Sequence, residues 1–303
     1  MDYYNLQKQI LSIKNTKNIK TVVIGKSVLG KNIYAVCCNT KQQNPWAIVT
    51  AGIHAREHLS CDLVVKLIHK YIKKNNNYGY NIAFIPLVNP DGATLCINGV
   101  TGLCPQVKNK LLAINGSADF SLYKANANGV DLNNNFNALW HKKHTKKTKP
   151  SSQGFYGHKP NSEPETQALV KLTNKLKPFI TISYHLKGEQ IYFDFYQNKK
   201  HYLRDSKIAK IFAKSTGYAI KSTQHVSSGG YKDWCVYTLK IPALTIELGT
   251  DKYNHPYPQH QLNSIYQKNE DLFNCLQKSL KIYNLEKYNG THENSHNLGT
   301  KSL

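Results

Sequence analysis

Apolar runs alternate with helix-like stretches along most of the chain. Four runs are continuously apolar and rich in β-branched residues, which is typical of strands buried on both faces of a sheet: residues 46–51, 81–88, 179–184 and 241–248. Residues 20–38 predict two further strands joined by a glycine-containing turn. Apolar spacing and helix start signals predict helices at residues 59–74, 162–176, 203–216 and 259–283, and a short one after Gly229-Gly230.

This alternation predicts a single α/β domain, with a mixed, mainly parallel β-sheet covered by helices on both faces. We expect the domain to span residues 1–287 and to be followed by a polar C-terminal tail at 288–303. Ser162 with Glu165 forms a capping-box pattern at the start of one helix. The segment Asn89-Pro90-Asp91-Gly92 predicts a turn, and the Asn- and Lys-rich residues 93–158 predict long, largely irregular functional loops.

Charge suggests a nucleic-acid partner at first, because the formal net charge is +22. Nearly all of it comes from lysine, however, and Arg56 and Arg204 are the only arginines. Nucleic-acid surfaces favour arginine for bidentate and stacked contacts, and the sequence carries no RNA-binding or helix-turn-helix signature. Coding bias toward A/T would give the same composition, so we expect no specific nucleic-acid binding. Residues 141–149 (HKKHTKKTK) are either a solvated loop or an attractor for an anionic polymer.

Compartment and assembly can be predicted from the termini and the cysteines. Residues 1–20 are polar and lack the apolar stretch of a secretory signal, and no run is long enough to cross a bilayer. The seven cysteines form no CxxC pair, which indicates reduced thiols; a Cys96–Cys104 bridge across a loop is the alternative. We therefore expect a cytoplasmic, monomeric protein with no membrane partner.

Four residues suggest metal chemistry. His54 and Glu57 follow the run at 46–51, and His185 and Glu247 lie at or near the ends of two other apolar runs. The carboxyl ends of parallel strands form the edge where open α/β sheets bind ligands. Two His and one Glu satisfy a catalytic zinc ion, which leaves the second Glu as general base.

The short motif at residues 54–58 (HAREH) leaves a second interpretation open. It also matches the inverted zinc-peptidase pattern, in which the motif lies inside a helix. In that arrangement Glu57 is the base and His58 is a metal ligand. Gly52 and the strand before it favour a loop between strand and helix instead.

Seven short motifs, in order, resemble those of the zinc metallocarboxypeptidase family, the carboxypeptidase A/B-like fold. They are GIHAREH, VNPDG, GVDLNNNF, SEPETQAL, SYH, GGYKDW and TIELGT, and they span about residues 20–283. The resemblance implies one zinc ion per chain, bound by His54, Glu57 and His185, with Glu247 as general base on the attacking water. Asp131 matches the family's carboxylate that orients a ligating histidine.

The resemblance also implies substrate contacts. Arg56 matches a substrate-contacting arginine, and Asn133 matches the asparagine of the family's carboxylate-binding tetrad. Lys124 is the best match to the cation that stabilises the oxyanion, with a plain surface lysine as the alternative. Lys232 lies where the family sets side-chain preference and would favour a negatively charged group, unless it points to solvent. His225 stands near the position of the family's mobile tyrosine.

One departure from the family pattern changes the expected activity. Asn134 stands where carboxypeptidases have the arginine that binds the substrate's terminal carboxylate, and a neutral amide cannot form that charged clamp. The missing arginine, the KANANGVDLN context and the GKSVLGKNIYAV segment resemble the bacterial γ-D-glutamyl-diamino acid endopeptidases. That branch implies hydrolysis of the γ-D-glutamyl–diaminopimelate (or Lys) bond of peptidoglycan stem peptides, with peptides or imported muropeptides as substrates. A conventional carboxypeptidase and a catalytically silent, anionic-polymer-binding relative are the alternatives.

Overall fold

An eight-stranded mixed sheet organises the protein in a computed structural model, which describes residues 2–14, 16–74, 77–142, 147–222 and 229–296, with side chains to 285. The strand order is β1-β2-β4-β3-β5-β8-β6-β7. Strands β4, β3, β5 and β8 are parallel, as are β6 and β7, and the other neighbours are antiparallel. The strands are β1 Ile19–Lys26, β2 Asn32–Cys38, β3 Trp46–Thr50, β4 Asn81–Ile85, β5 Ile180–Leu186, β6 Gln190–Tyr192, β7 Ala219–Lys221 and β8 Ala243–Leu248.

Helices pack on both faces of the sheet because its central strands are apolar on both sides. In β3, Val49 faces the larger core cluster, which holds residues of α2, α6 and α9, whereas Ile48 faces a second cluster with α5 and α7. The helices are α1 Tyr3–Ser12, α2 His58–Lys74, α3 Pro90–Asn98, α4 Pro105–Asn115, α5 Pro164–Leu176, α6 Lys199–Thr216, α7 Tyr231–Tyr237, α8 Leu262–Asn269 and α9 Leu272–His296. The predicted α/β class and two-sided layering are confirmed.

Several local predictions were wrong. The predicted turn at residues 89–92 is the start of α3, where the Asn89 side chain accepts a hydrogen bond from the Gly92 N–H. Residues 93–158 are largely irregular, as predicted, but they also contain the rest of α3 and all of α4, which were not predicted. The capping box is absent, since α5 begins after Glu163 and the Ser162 hydroxyl bonds the Glu163 carboxylate instead.

The ends of the chain also differ from the sequence prediction. The N-terminal helix α1 was not predicted, and the closing helix is two helices, α8 and α9. Helix α9 continues to His296, so the predicted domain boundary after residue 287 falls inside it and stays a prediction.

All seven cysteines are free thiols, which excludes the Cys96–Cys104 bridge. No helix among the described residues is both long and apolar enough to span a bilayer.

Candidate metal centre and active site

The loop between β3 and α2 carries the first two candidate ligands. It turns at Gly52, whose φ of +61° is a conformation that favours glycine, and a Cβ there would lie 2.6 Å from the Cys61 sulfur. The Gly52 N–H donates to the Ser60 hydroxyl, which joins the loop to the first turn of α2. Because α2 begins at His58, the HAREH motif precedes the helix. The inverted zinc-peptidase arrangement, which needs the motif inside a helix, is therefore wrong.

Three buried side chains bring donor atoms together at the carboxyl edge of the sheet. Nδ1 of His54 lies 2.7 Å from Oε1 of Glu57 and 3.1 Å from Nδ1 of His185, and this last nitrogen is 3.3 Å from Oε2 of Glu57. In the described part of the chain, these are the residues that could hold a metal ion, with one ligand atom each and all within 4.8 Å of one another. Two imidazoles and one carboxylate suit catalytic zinc, and they leave a coordination position open. The residues present fit that metal.

Asp131 lies on the far side of the His54 ring from this cluster. Its Oδ1 is 3.4 Å from Nε2 of His54, and its Oδ2 is 3.4 Å from Nζ of Lys124. Burial alone would raise the pKa of Asp131, but the Lys124 ammonium and His54 hold it below its ordinary value. A charged carboxylate there favours a proton on Nε2 of His54, which leaves Nδ1 as the metal-facing donor.

Glu247 lies beside the cluster because β5 and β8 are neighbouring parallel strands. Glu247 pairs in register with His185, so both side chains belong to the same edge of the sheet. Burial raises the pKa of Glu247 to about 7, since desolvation outweighs the opposing effect of His185. A carboxyl group that titrates near neutrality is suited to exchange protons with a water molecule.

A cavity of about 220 Å³ opens next to Glu247. Lys232 and Asp233, at the start of α7, contribute to its wall, and Asn133 lines it from the other side. The Asn133 side-chain oxygen accepts a hydrogen bond of 3.0 Å from the Tyr231 N–H. The remaining wall is formed by Tyr192, Gly230 and Thr245.

Lys232 is buried rather than directed to solvent. Its ammonium lies 2.7 Å from the Asp233 carboxylate and donates to the Asp194 carbonyl oxygen at 2.6 Å. The side chains are only 6% and 1% exposed, so the cavity wall carries a desolvated ion pair. The cavity wall thus carries a cation and an anion that are paired with each other.

Sequence reasoning missed three polar wall residues of this cavity. Asp233 was visible beside Lys232 in the GGYKDW motif and could have been found there. Thr245 begins the TIELGT motif, two residues before Glu247, and could also have been found there. Tyr192 has no such signal, because it reaches the cavity through the antiparallel pair β6–β8. The short strand β6, which lies between β8 and β7, was not predicted, so its side chains had no assigned position.

Arg56, Asn134 and His225 are the other residues that the sequence analysis connected with substrate binding. Arg56 lies outside the cavity wall, and its guanidinium donates to the Leu122 carbonyl and the Gln153 side chain. Asn134 sits in a 3₁₀ turn next to Asn133, and its carbonyl oxygen would lie 2.6 Å from a Cβ at Gly229, whose φ is +77°. His225 falls outside the described residues.

A family model described as zinc carboxypeptidase matches residues 9–272. The chain belongs to the zinc carboxypeptidase family. It is therefore a zinc-dependent metallopeptidase, a hydrolase with one catalytic zinc ion, and the His-Glu-His cluster supplies a candidate site for that ion.

Similar proteins support the same family. Gamma-D-glutamyl-L-diamino acid endopeptidase 1 of Lysinibacillus sphaericus is 30% identical over 266 residues, which are 82% of this chain and 65% of that protein. The chain thus spans just under two thirds of the length of this curated relative. The carboxypeptidase A of Helicoverpa armigera superimposes with a TM-score of 0.72 at 18% identity, covering 93% of this chain and 73% of that one.

A second solved structure has a shorter chain. The murein-tripeptide amidase MpaA of Escherichia coli O157 superimposes with a TM-score of 0.55 at 22% identity, covering 85% of this chain and 91% of that one. At these identities the two solved structures show the fold alone.

Proposed function

We propose that this zinc metallopeptidase hydrolyses the γ-D-glutamyl–diaminopimelate (or Lys) bond of peptidoglycan stem peptides. Its similarity to a gamma-D-glutamyl-L-diamino acid endopeptidase supports this substrate class. The departure at position 134 supports an endopeptidase rather than an enzyme that must hold a chain terminus.

The observation that carries the proposal is that no arginine stands at the cavity beside Glu247. Asn134 is a neutral amide, Arg56 bonds to Leu122 and Gln153, and Arg204 belongs to α6. A bidentate clamp on a free terminal carboxylate needs a planar guanidinium. A substrate whose chain continues past the cleaved bond makes no such demand.

The residues at the carboxyl edge of the sheet have separate roles in this proposal. His54, Glu57 and His185 would hold the zinc ion, which would lower the pKa of a water molecule and polarise the scissile carbonyl. Asp131 keeps His54 in the tautomer that presents Nδ1. Glu247 takes a proton from the attacking water and delivers it to the leaving amine, which its raised pKa favours.

Lys124 supplies positive charge for the oxygen that becomes negative during attack. Burial by itself lowers the pKa of Lys124, but the carboxylates of Asp131 and Glu57 raise it above its ordinary value. The ammonium therefore stays charged beside the metal cluster. This supports a role as oxyanion stabiliser rather than as a surface lysine.

The charges of the cavity suit a diamino acid on the leaving side. Diaminopimelate ends in a carboxylate and an ammonium group, and the wall offers the ammonium of Lys232 beside the carboxylate of Asp233. Asn133 and Tyr192 add neutral polar groups. We also propose that the enzyme is a monomer that acts in the cytoplasm on imported muropeptides. The seven free thiols support the cytoplasmic location.

Mass spectrometry of the products of a defined tetrapeptide, L-Ala-γ-D-Glu-diaminopimelate-D-Ala, tests the proposal. The zinc-loaded enzyme is expected to release L-Ala-D-Glu and diaminopimelate-D-Ala. A conventional carboxypeptidase would instead release D-Ala alone, and that result would contradict the proposal. Glu247→Gln serves as the matched control, because it should form neither product set.

A further inference from the structure

Lys124 and Asp131 stand at the two ends of a short loop, residues 124–131, beside the metal cluster. The Lys124 ammonium lies 3.4 Å from Oδ2 of Asp131. Neither residue belongs to a helix or a strand, so regular secondary structure does not set the distance between them. Asn126 lies between them in the chain and is completely buried, although its side chain is polar. The loop therefore has a buried polar residue in its middle.

Asn126 closes this loop with its own backbone and side chain. Its N–H donates to the Val130 carbonyl oxygen, and its carbonyl oxygen accepts from the Gly129 N–H, both at 2.9 Å. Its side-chain oxygen accepts from the N–H of Asn128 at 3.0 Å and from that of Val130 at 3.1 Å. Because Asp131 follows Val130 directly, these bonds set the course of the chain as it enters Asp131.

Two buried carboxylates at the start of α5 hold the other end of the same amide. Nδ2 of Asn126 donates to Oε2 of Glu163 at 2.8 Å and to Oε2 of Glu165 at 3.1 Å. Glu165 is completely buried, and burial raises its pKa to about 7. With two bonds accepted and two donated, the amide has used its full hydrogen-bonding capacity. Its orientation in the loop is therefore fixed.

This polar network does what apolar packing cannot do. Tyr123, Ala125 and Ala127 already pack the segment into an apolar cluster, but such packing is not directional. Hydrogen bonds to one amide fix both direction and distance. Glu165 extends the network, since its Oε1 accepts from the Val28 N–H in the turn between β1 and β2 at 3.1 Å. The loop is thus anchored to two other parts of the fold.

We infer that Asn126 is a positioning residue for hydrolysis, which holds the Lys124 ammonium beside Asp131 and the metal cluster. Asn126 itself belongs neither to the wall of the cavity beside Glu247 nor to the metal-binding group, so it acts through Lys124. The inference rests on the proposed role of Lys124 as oxyanion stabiliser. It does not depend on which peptide bond is cut.

A double-mutant cycle in kcat between Asn126→Ala and Lys124→Gln, at saturating zinc and on any peptide that the enzyme cuts, tests this inference. Lys124→Gln should lower kcat about 10²-fold, because the charge on the oxyanion is no longer balanced. Asn126→Ala should lower kcat about tenfold at nearly unchanged KM, because the ammonium is displaced. In the Lys124→Gln background, Asn126→Ala should lower kcat by less than about twofold.

A second readout needs no activity. Acetylation of metal-free protein, followed by peptide mass spectrometry, measures how firmly the Lys124 ammonium is held. Its rate at Lys124 should rise about tenfold in Asn126→Ala, since a charge-assisted contact is loosened.

Asn81→Ala is the matched control for both readouts. Asn81 is also buried, its Nδ2 donates to two carbonyl oxygens, and its Oδ1 accepts a backbone N–H. It begins β4, however, at the edge of the sheet opposite the metal cluster. Asn81→Ala should lower the unfolding temperature but change neither kcat nor the acetylation of Lys124.

Losses in kcat that multiply across the cycle would overturn the inference, because Asn126 would then act independently of Lys124. An unchanged kcat in Asn126→Ala would also overturn it. An unchanged kcat in Lys124→Gln would remove Lys124 from the proposed mechanism and this inference with it. If Asn126→Ala does not fold, Glu165→Gln takes its place, since it loses one anchor of the amide and keeps Asn126. An unchanged kcat and an unchanged acetylation rate in Glu165→Gln would then overturn the inference.

Discussion

Oδ1 of Asp131 lies 3.4 Å from Nε2 of His54, on the opposite side of the imidazole ring from the Nδ1 atom that faces Glu57 and His185. The two nitrogens of one ring thus have different tasks. Nε2 is positioned by the Asp131 carboxylate, and Nδ1 is directed into the metal cluster. Asp131 contributes no atom to that cluster, so its effect on metal binding must pass through His54.

Asp131→Asn should therefore weaken zinc binding without abolishing it. The amide no longer favours the proton on Nε2, so affinity is expected to fall about 10–100-fold. Competition with a chromogenic chelator measures this change. Asp271→Asn, the same substitution at the junction of α8 and α9, should leave the affinity unchanged. Equal zinc affinity in Asp131→Asn and the unmodified enzyme would remove Asp131 from the site.

His185→Ala should remove bound zinc almost completely, because only two protein ligands remain. Elemental analysis after dialysis measures the zinc content. His58→Ala is the matched control, since His58 follows Glu57 directly but lies outside the metal-binding group. That variant should keep about one zinc ion per chain. If His58→Ala lost the metal and His185→Ala kept it, the ligand set proposed here would be wrong.

Glu247→Gln should keep zinc and the fold while losing turnover. An amide cannot accept the proton of the attacking water, so kcat should fall on the order of 10²–10⁴-fold. Zinc analysis and thermal unfolding of the same sample establish that metal and structure are retained. A variant with near-normal kcat would show that another group acts as the base.

Much of the active site at the carboxyl edge of the sheet could be predicted from sequence, because its reactive residues lie in short motifs at strand ends. His54 and Glu57 follow the apolar run that the structure shows as β3, and His185 and Glu247 lie near the ends of β5 and β8. What could not be predicted depends on contacts between distant segments. Tyr192 reaches the cavity through the pairing of β6 with β8, and a three-residue strand has no detectable period.

Helix α4 and the start of α3 show a second limit of sequence reasoning. Residues 105–115 contain few buried positions, with Leu111 the buried residue of α4, so their apolar pattern is weak. The Asn89-Pro90-Asp91-Gly92 segment is typical of a turn and of a capped helix start alike. The contacts that the residues after Gly92 make in the fold decide between a turn and a helix start.

The buried pair Lys232–Asp233 predicts a clear stability pattern. Lys232→Met takes away the cation that lies 2.7 Å from a carboxylate only 1% exposed, and this should cost about 3–5 kcal/mol of unfolding free energy. Adding Asp233→Asn should recover part of that loss, because the unpaired charge is then gone. Urea denaturation of both variants provides the comparison. Additive losses in the double variant would show that the two charges do not interact.

The central claim concerns the absence of a guanidinium at Asn134, and substrate preference tests it. Two comparisons of kcat/KM are needed: a stem tripeptide with a free against an amidated C-terminus, and a γ-linked D-Glu against an α-linked L-residue. Asn134→Arg provides the matched gain of charge. It should do little to γ-D-glutamyl hydrolysis but raise cleavage of ordinary C-terminal residues.

The comparison of the free with the amidated C-terminus tests the role of Asn134 most directly. Without a terminal carboxylate clamp, amidation should change kcat/KM of the unmodified enzyme by less than about threefold, while the α-linked peptide should be cut far more slowly. Loss of a charged clamp would cost about 1.5–3 kcal/mol, roughly ten- to a hundredfold in rate. A loss of that size on amidation, with the α-linked peptide cut at least as fast as the γ-D-glutamyl peptide, would contradict the proposal and identify a conventional carboxypeptidase.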